Sequence, residues 1–448
     1  MDSIKGFFKF DEYQTNYKIE INAGITTFLT MAYIIFVNPA ILSKAGMPAE
    51  GVMTATILVS AISSILMGLS ANLPFALAPG MGINAFVAFS MVIAHKMSWQ
   101  TAMGAVFIAG IIFVIISLPK INLREKIVKA IPTPLRLGVA SGIGLFIAFI
   151  GLSPSHSNIV VDNPATLVGF GGLSLSFCIF IIGLIATTAM LIKKVRGALI
   201  FGIVGTSIIA LICSLVGMAT GWLDTPFVKL PAAVFALPSM SVFAEMDIAG
   251  VFKIGMLAPL FTLIFTDMFD SISTFVGVSE VGGLIDENGN PRNIGRALLI
   301  DAFATTISGL FGTSSATTYI ESASGIEEGG RTGLTAVVTG LCFIPFLFIS
   351  PLLGFIPMVA TGPVLVIVGI FMILSLRKID WGNFEDSIPA FVSVITIPLT
   401  YSITQGIVLG FLTYILLKVI LGKGREISAT LWIIGLFSVI SLILTMPK

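Results

Sequence analysis

Apolar stretches of roughly twenty residues recur along nearly the whole chain, with short polar connections between them. A run of this length with few charges is what an α-helix needs to cross the hydrocarbon core of a bilayer. The pattern therefore predicts an all-α polytopic membrane protein with fourteen spans. These predicted spans are residues 21–43, 51–70, 77–94, 100–118, 133–152, 172–192, 197–220, 250–277, 294–311, 316–328, 332–350, 358–376, 385–401 and 403–421.

The distribution of positive charge gives the spans a direction. Nineteen of the 24 Lys and Arg residues lie in connections on the same side as the N-terminus. Because cytoplasmic connections are enriched in Lys and Arg, we expect a multi-pass protein of the cell membrane with a cytoplasmic N-terminus. The basic connection at 120–129 is expected to be an interfacial helix. The apolar run at 431–446 is short for a span, and it either lies along the interface or crosses the membrane.

A long connection at 221–253, rich in proline and acidic residues, divides the predicted spans into two sets of seven. With an odd number of spans in each set, the second set inserts upside down relative to the first. This is the geometry of an inverted repeat, as found in many secondary transporters.

The repeat pairs the third predicted span with the tenth, and both have an interrupted composition. The third, NLPFALAPGMGINAFVAFS, carries prolines and glycines that predict an extended stretch, followed by a half-helix from about Ile83. The tenth, GLFGTSSATTYIESASGIEEGGRTG, predicts a short helix from about Tyr319 after a run of hydroxyl residues and glycines. Irregular backbone at membrane depth is tolerated only where it lines a cavity or is buried in protein, so the two interruptions indicate a binding site.

Two aspartates, Asp267 and Asp270, lie inside the apolar eighth span, in FTLIFTDMFDSISTFVG. A lone aspartate at the bilayer centre costs roughly 3 kcal/mol, so such acids usually face a cavity and belong to a substrate or proton path. With Ser271 and Thr274 they follow helical spacing and form one polar stripe. Asp267 lies nearer the span centre and is assigned the substrate contact, and Asp270 the supporting or proton-linked role; the reverse assignment is also open.

Polar groups of the two interrupted spans complete the candidate site. Glu321 is the acid of the central part of the tenth span, and Asn84 offers both a hydrogen-bond donor and an acceptor. Phe86 is one of several phenylalanines near these groups that can stack on a planar ring or simply pack.

The composition excludes several other classes of function. The chain of 448 residues is 56% hydrophobic and only 10% charged, and its net charge of +1 gives no sign of nucleic-acid binding. Its three cysteines and two histidines have no disulfide or metal-ligand spacing. The phosphate-binding motif GxxxxGK[ST] is absent from the sequence. We therefore expect no enzyme, no cofactor and no resident metal.

Four segments, AGITTFLTMAYIIFVNP, LPFALAPGMGINAF, TDMFDSISTFVG and TSSATTYIESASG, resemble the signatures of the nucleobase:cation symporter family, in its azaguanine-permease-like branch. The resemblance implies the uracil-permease fold, in which a core domain at 18–120 and 250–350 moves against a gate domain at 132–245 and 352–425 by an elevator-like alternating-access mechanism. Residues 426–448 form an extra apolar segment. The family resemblance also implies that the protein takes up adenine, guanine or hypoxanthine together with protons, and that it forms a homodimer.

The resemblance also implies roles for particular residues. The ligand-binding acid of the family's eighth segment falls on Asp267 and its second aspartate on Asp270, while the acid of the tenth segment falls on Glu321 and the asparagine of the third on Asn84. The run TSSATT, which ends at Thr318, is where discrimination among purines is expected.

The expectation is therefore a purine importer in which H+ is the coupling ion, with Na+ as the other possibility. Alternatives on the same fold are carriers of a pyrimidine, xanthine or urate, ascorbate, or an inorganic anion. An intramembrane enzyme would need a nucleophile and base, or metal ligands, that the sequence does not indicate.

Overall fold

The computed structural model describes residues 2–118, 131–228, 230, 233–253, 257–285 and 292–445. The interfacial helix predicted at 120–129 lies outside these residues. The helices are α1 (Asp2–Phe8), α2 (Tyr17–Met31), α3 (Ile34–Leu42), α4 (Ala49–Leu66), α5 (Met81–Ala85), α6 (Trp99–Ser117), α7 (Thr133–Leu152), α8 (Leu175–Ile192), α9 (Ala198–Thr220), α10 (Ile248–Val251), α11 (Leu257–Gly282), α12 (Ile294–Phe311), α13 (Ser322–Glu327), α14 (Gly333–Phe343), α15 (Met358–Ile373), α16 (Phe384–Thr400), α17 (Ile403–Ile420) and α18 (Ala429–Thr445). The short strands are β1 (Leu77–Pro79), β2 (Val160–Asn163), β3 (Leu167–Phe170) and β4 (Ala316–Thr318).

The described part of the chain contains ten helices that are long and apolar enough to cross a membrane. Each of the ten coincides with one of the predicted spans, which confirms the prediction of a helical polytopic membrane protein. The four other predicted spans correspond to shorter or broken elements, so the count of fourteen stays a prediction. Residues 431–445 of the last apolar run form most of α18, which packs against α17 and α11.

Both spans that were predicted to be interrupted contain a strand followed by a short helix. In the third predicted span, β1 is followed by α5, which continues as a π-helical stretch over Phe86–Ala94. In the tenth, β4 precedes α13. The sequence did not predict that the strands pair with each other. They run antiparallel, with Leu77 opposite Thr318 and Pro79 opposite Ala316.

The strand pair satisfies backbone groups that water cannot reach. Where a helix is interrupted, its N–H and C=O groups need other partners, because an unpaired buried group costs free energy. Beyond the ladder, the backbone N–H of Gly80 donates to the carbonyl oxygen of Ser315 at 2.9 Å, and the N–H of Tyr319 donates to that of Ala76 at 2.9 Å. The Ser64 hydroxyl accepts from the Leu77 N–H at 2.9 Å. The paired strands β1 and β4, called the strand crossing below, are therefore a fully buried element with satisfied backbone groups.

The long helices pack as two groups. Helices α2, α4, α6, α12 and α14 pack on one another around the strand pair, whereas α7, α8, α9, α15, α16 and α17 form a second group. Glycine allows the closest approach in the first group: a Cβ on Gly333, at the start of α14, would lie 1.9 Å from the Gly68 carbonyl oxygen. That these groups are a core and a gate that move against each other stays a prediction.

Candidate functional site

A cavity of about 160 Å³ lies where the strand crossing meets α11, the junction of α2 and α3, and two helices of the second group. The residues that line it are Tyr33, Gly80, Met81, Gly82, Ala140, Asp270, Thr274, Thr317, Thr318, Tyr319, Ile320, Glu321, Val368, Phe371 and Met372. The lining comes from both groups of helices, so a ligand in this cavity would contact both.

Asp270 provides one of the two carboxylates of the cavity. It lies on α11 and is half-buried, and the Thr317 hydroxyl donates a hydrogen bond to its Oδ2 at 3.2 Å. Gly80 leaves space beside this carboxylate, because a Cβ at position 80 would lie 3.2 Å from Asp270 Oδ2. Helix α11 and the strand crossing together hold the acid at the edge of the cavity.

Glu321 provides the second carboxylate. It occupies the position immediately before α13, but its side chain makes no capping hydrogen bond to that helix. Instead, the Tyr33 hydroxyl donates to Glu321 Oε1 at 2.7 Å. Thr318 also lines the cavity, and its buried Oγ1 has no hydrogen-bond partner among the described residues. A ligand that enters the cavity therefore meets two carboxylates.

The opposite side of the cavity is apolar. Helix α7 contributes Ala140, and α15 contributes Val368, Phe371 and Met372. The cavity thus has a polar side, from the strand crossing and α11, and an apolar side. This combination suits a flat ligand with an apolar face and with hydrogen-bond donors along its edge.

Four of the residues that sequence analysis assigned to the site lie outside the lining. Asp267 is fully buried, and its Oδ2 accepts from the Thr305 hydroxyl of α12 at 3.0 Å. Ser271 is also buried and donates to Asp301 Oδ1 of α12 at 3.0 Å. The polar stripe of α11 is therefore divided, with Asp270 at the cavity and Asp267 and Ser271 facing α12.

Asn84 and Phe86 are the other two, and both are fully buried behind the strand crossing. The Ser314 hydroxyl donates to Asn84 Oδ1, while Asn84 Nδ2 has no partner in the described part of the chain. Phe86 belongs to the hydrophobic core. The structure therefore brings Asp270, Glu321 and Thr318 together at the cavity, whereas Asn84 and Phe86 are buried outside its lining.

Sequence reasoning missed Asp301 and the aromatic side chain of the apolar wall, Phe371. Asp301 is the only acid in the apolar run 294–311 and is followed one turn later by Thr305, the same kind of polar spacing that identified Asp270 and Thr274. That signal was available in the sequence. Nothing in the sequence marks Phe371, because it is one of 35 phenylalanines and lies in an ordinary apolar span.

A comparison with protein families shows which family the chain belongs to. The sequence model of a permease family, Xan_ur_permease, matches residues 18–409. The chain belongs to this permease family. The family resemblance inferred from the four sequence segments is therefore confirmed, and the chain is a transport protein rather than an enzyme.

Characterised relatives of this permease cover nearly its whole length. The adenine permease AdeP of Escherichia coli is 40% identical over 98% of this chain and 96% of its own length. The guanine/hypoxanthine permease PbuG of Bacillus subtilis is 42% identical over 97% of this chain and 98% of its own. Among solved structures, the transmembrane domain of the cyanobacterium bicarbonate transporter BicA superposes with a TM-score of 0.63 at 17% identity. That superposition covers 88% of this chain and 97% of that domain. The permease therefore shares its fold with that domain.

Proposed function

We propose that this permease is a secondary active transporter that imports purine bases by proton symport. The observation that carries the proposal is the two-sided cavity, with Asp270, Thr318 and Glu321 on one side and Phe371 on the other. A purine is planar, has an apolar face, and carries ring N–H or amino donors on its edge. Carboxylate oxygens accept such donors, and an aromatic side chain packs on such a face. Relatives named adenine permease and guanine/hypoxanthine permease support the same substrate class.

The roles of the two aspartates follow from their surroundings. We assign the substrate contact to Asp270, which lines the cavity, and the proton-linked role to Asp267, which lies outside the lining and accepts a hydrogen bond from Thr305 of α12. This is the reverse of the first assignment made from the sequence. Asn84 supports the strand crossing from behind through Ser314.

The transport cycle is proposed to move the first helix group, as a core, past the second, as a gate. The cavity lies between the two groups, which is where alternating access requires a substrate site. The bias of Lys and Arg supports a cytoplasmic N-terminus in the cell membrane. A homodimer is proposed on the family resemblance alone.

The described lining disfavours an anion as substrate. It contains two carboxylates and no Lys or Arg, and like charges in a site of low dielectric repel. A carrier of inorganic anions on this fold would therefore need a different charge at the same position. Pyrimidines also have a planar ring with hydrogen-bond donors at its edge. Competition between uracil and labelled purines distinguishes the two classes.

The test is uptake of labelled adenine, guanine and hypoxanthine into proteoliposomes, with an inward proton gradient, an inward sodium gradient, or neither. Uracil and bicarbonate are competitors. The variants Asp270→Asn and Asp267→Asn change one oxygen to nitrogen at nearly constant volume, so they form a matched pair. We expect purine uptake driven by the proton gradient, loss of purine binding in Asp270→Asn, and retained binding without accumulation in Asp267→Asn.

Three outcomes contradict parts of the proposal. If no purine is taken up or competes, the substrate class is wrong. If sodium alone drives accumulation, the coupling ion is wrong. If Asp267→Asn loses binding while Asp270→Asn binds normally, the two roles are reversed.

A further inference from the structure

Tyr33 lies in a break between two helices and reaches a residue far away in the sequence. Helix α2 ends at Met31 and α3 begins at Ile34. Across this junction the Tyr33 carbonyl oxygen accepts from the N–H groups of Phe36 at 3.1 Å and Val37 at 3.0 Å. The Tyr33 carbonyl oxygen is therefore satisfied within the junction, and the Tyr33 side chain lines the cavity.

The bond from Tyr33 to Glu321 is short and buried. Only 1% of Tyr33 is exposed, so its hydroxyl has no access to bulk water and needs a partner within the protein. It donates to Glu321 Oε1 at 2.7 Å, the usual length of a hydrogen bond between two oxygens. This contact joins the α2–α3 junction to the start of α13.

A carboxylate that is held by one oxygen presents the other in a defined direction. A glutamate side chain has three rotatable bonds, and ordering it when a ligand arrives would cost binding free energy. Since Tyr33 occupies Oε1 of Glu321, Oε2 is the oxygen left to meet a ligand in the cavity. The geometry thus orders the acceptor before the ligand binds.

We propose that Tyr33 is a positioning residue that fixes the Glu321 carboxylate for the donor on the base edge. The inference rests on the proposed function, because it assigns to Glu321 a base as its ligand. Tyr33 acts through Glu321 and gives the site directional selectivity for bases that carry a donor at the matching edge position.

Tyr319 supplies a matched control within the same cavity. It also lines the cavity and is only 5% exposed, but its hydroxyl donates at 2.6 Å to the Pro79 carbonyl oxygen of β1. Tyr33→Phe and Tyr319→Phe therefore each remove one buried hydroxyl from the same cavity, and only the first removes a bond to Glu321.

The experiment measures equilibrium binding to the purified full-length permease, with adenine, hypoxanthine, unsubstituted purine and 7-deazaadenine as probes. The proteins are the wild type, Tyr33→Phe, Tyr319→Phe and Glu321→Gln, each checked for folding by size exclusion and thermal denaturation. The variant Glu321→Gln identifies which probe lacks the donor that faces Glu321, because the binding of that probe is weakened least.

We expect Tyr33→Phe to raise the Kd of bases that carry this donor about tenfold, the size expected for the loss of one hydrogen bond. The base least affected by Glu321→Gln should also be least affected by Tyr33→Phe. Tyr319→Phe should change the Kd of all bases by a common factor. This pattern distinguishes positioning from general destabilisation, which would weaken every base alike.

Two results overturn the inference in different ways. If the wild type binds purines and Tyr33→Phe weakens all probes by the same factor, Tyr33 does not act through Glu321, while the proposed function stands. If the wild type binds none of the probes, the proposed function fails and the inference fails with it.

Discussion

Gly80→Ala is the most direct test of whether the edge of the cavity at Asp270 binds the ligand. Gly80 follows β1 and precedes α5, with φ −68° and ψ 129°, an extended conformation that alanine adopts without strain. A Cβ at this position would lie 2.9 Å from Thr317 Oγ1 and 3.2 Å from Asp270 Oδ2. The substitution therefore adds one methyl group at the hydrogen bond between these two side chains, and it leaves the backbone unchanged.

The size of the effect follows from these distances. A carbon–oxygen contact of 2.9 Å is shorter than real Cβ atoms adopt, so the Thr317 side chain has to move, and its 3.2 Å hydrogen bond to Asp270 is lost or weakened. Overpacking of this kind typically costs about 1–3 kcal/mol. If the same shift displaces the carboxylate from its ligand, a hydrogen bond between the two is lost, and the Kd for a purine rises about tenfold. The N–H of Gly80, which donates to Ser315, is retained in alanine, so the strand crossing should persist.

The assay is equilibrium binding of labelled adenine and hypoxanthine to the purified permease. Gly277→Ala is the matched control, because Gly277 lies on α11 with Asp270 and a Cβ there would meet nothing within 4 Å. We expect wild-type affinity and stability for the control, and weakened binding together with a lowered thermal stability for Gly80→Ala. Equal affinities for the two variants would refute the assignment of this edge to the ligand.

Two further predictions concern stability. The side chains of Arg196 and Glu328 form an ion pair at 2.5 Å between the two helix groups and are 55% and 33% exposed. Arg196→Gln should therefore lower the free energy of unfolding by less than about 1 kcal/mol, an effect that disappears at about 1 M salt; a salt-independent loss would contradict this. The backbone N–H of Gly250 and the Thr101 hydroxyl donate hydrogen bonds to Asp247 and lower its pKa. The ionised Asp247 therefore stabilises the folded state above about pH 4, and this stabilisation is lost as the pH falls further. Asp247→Asn should accordingly lower the Tm at pH 7 more than at pH 3, and an equal loss at both values would contradict this.

Much of the fold could be predicted because membrane-spanning helices are recognisable in a sequence by their length and apolar composition. The ten long apolar helices coincide with predicted spans, and proline and glycine predicted the breaks before α5 and α13. The pairing of Leu77 with Thr318 could not be predicted. Three-residue strands carry no periodic signal, and their pairing depends on how distant helices bring the two breaks together.

The residue types of the candidate site could be predicted from the sequence, but the direction in which each side chain points could not. Asp270 and Glu321 were identified because buried acids are costly, and that reasoning applies equally to Asp267 and would have applied to Asp301. Phe371 could not be found, because an apolar side chain in an apolar span carries no signal. Which polar groups face a cavity and which face another helix depends on packing that a single sequence does not contain.

Helix α11 explains why the roles of Asp267 and Asp270 were open in the sequence, and the structure gives the two side chains different contacts. Residues three apart on an α-helix differ in direction by only about 60°, so a helical projection places both acids on one face. That face meets two different surfaces, with Thr317 of the strand crossing beside Asp270 and Thr305 of α12 beside Asp267. A rotation of α11 by less than one residue would change both contacts together. Under the proposed function, a base that binds Asp270 would act on Asp267 through the same helix, and this would supply the physical link between substrate and proton.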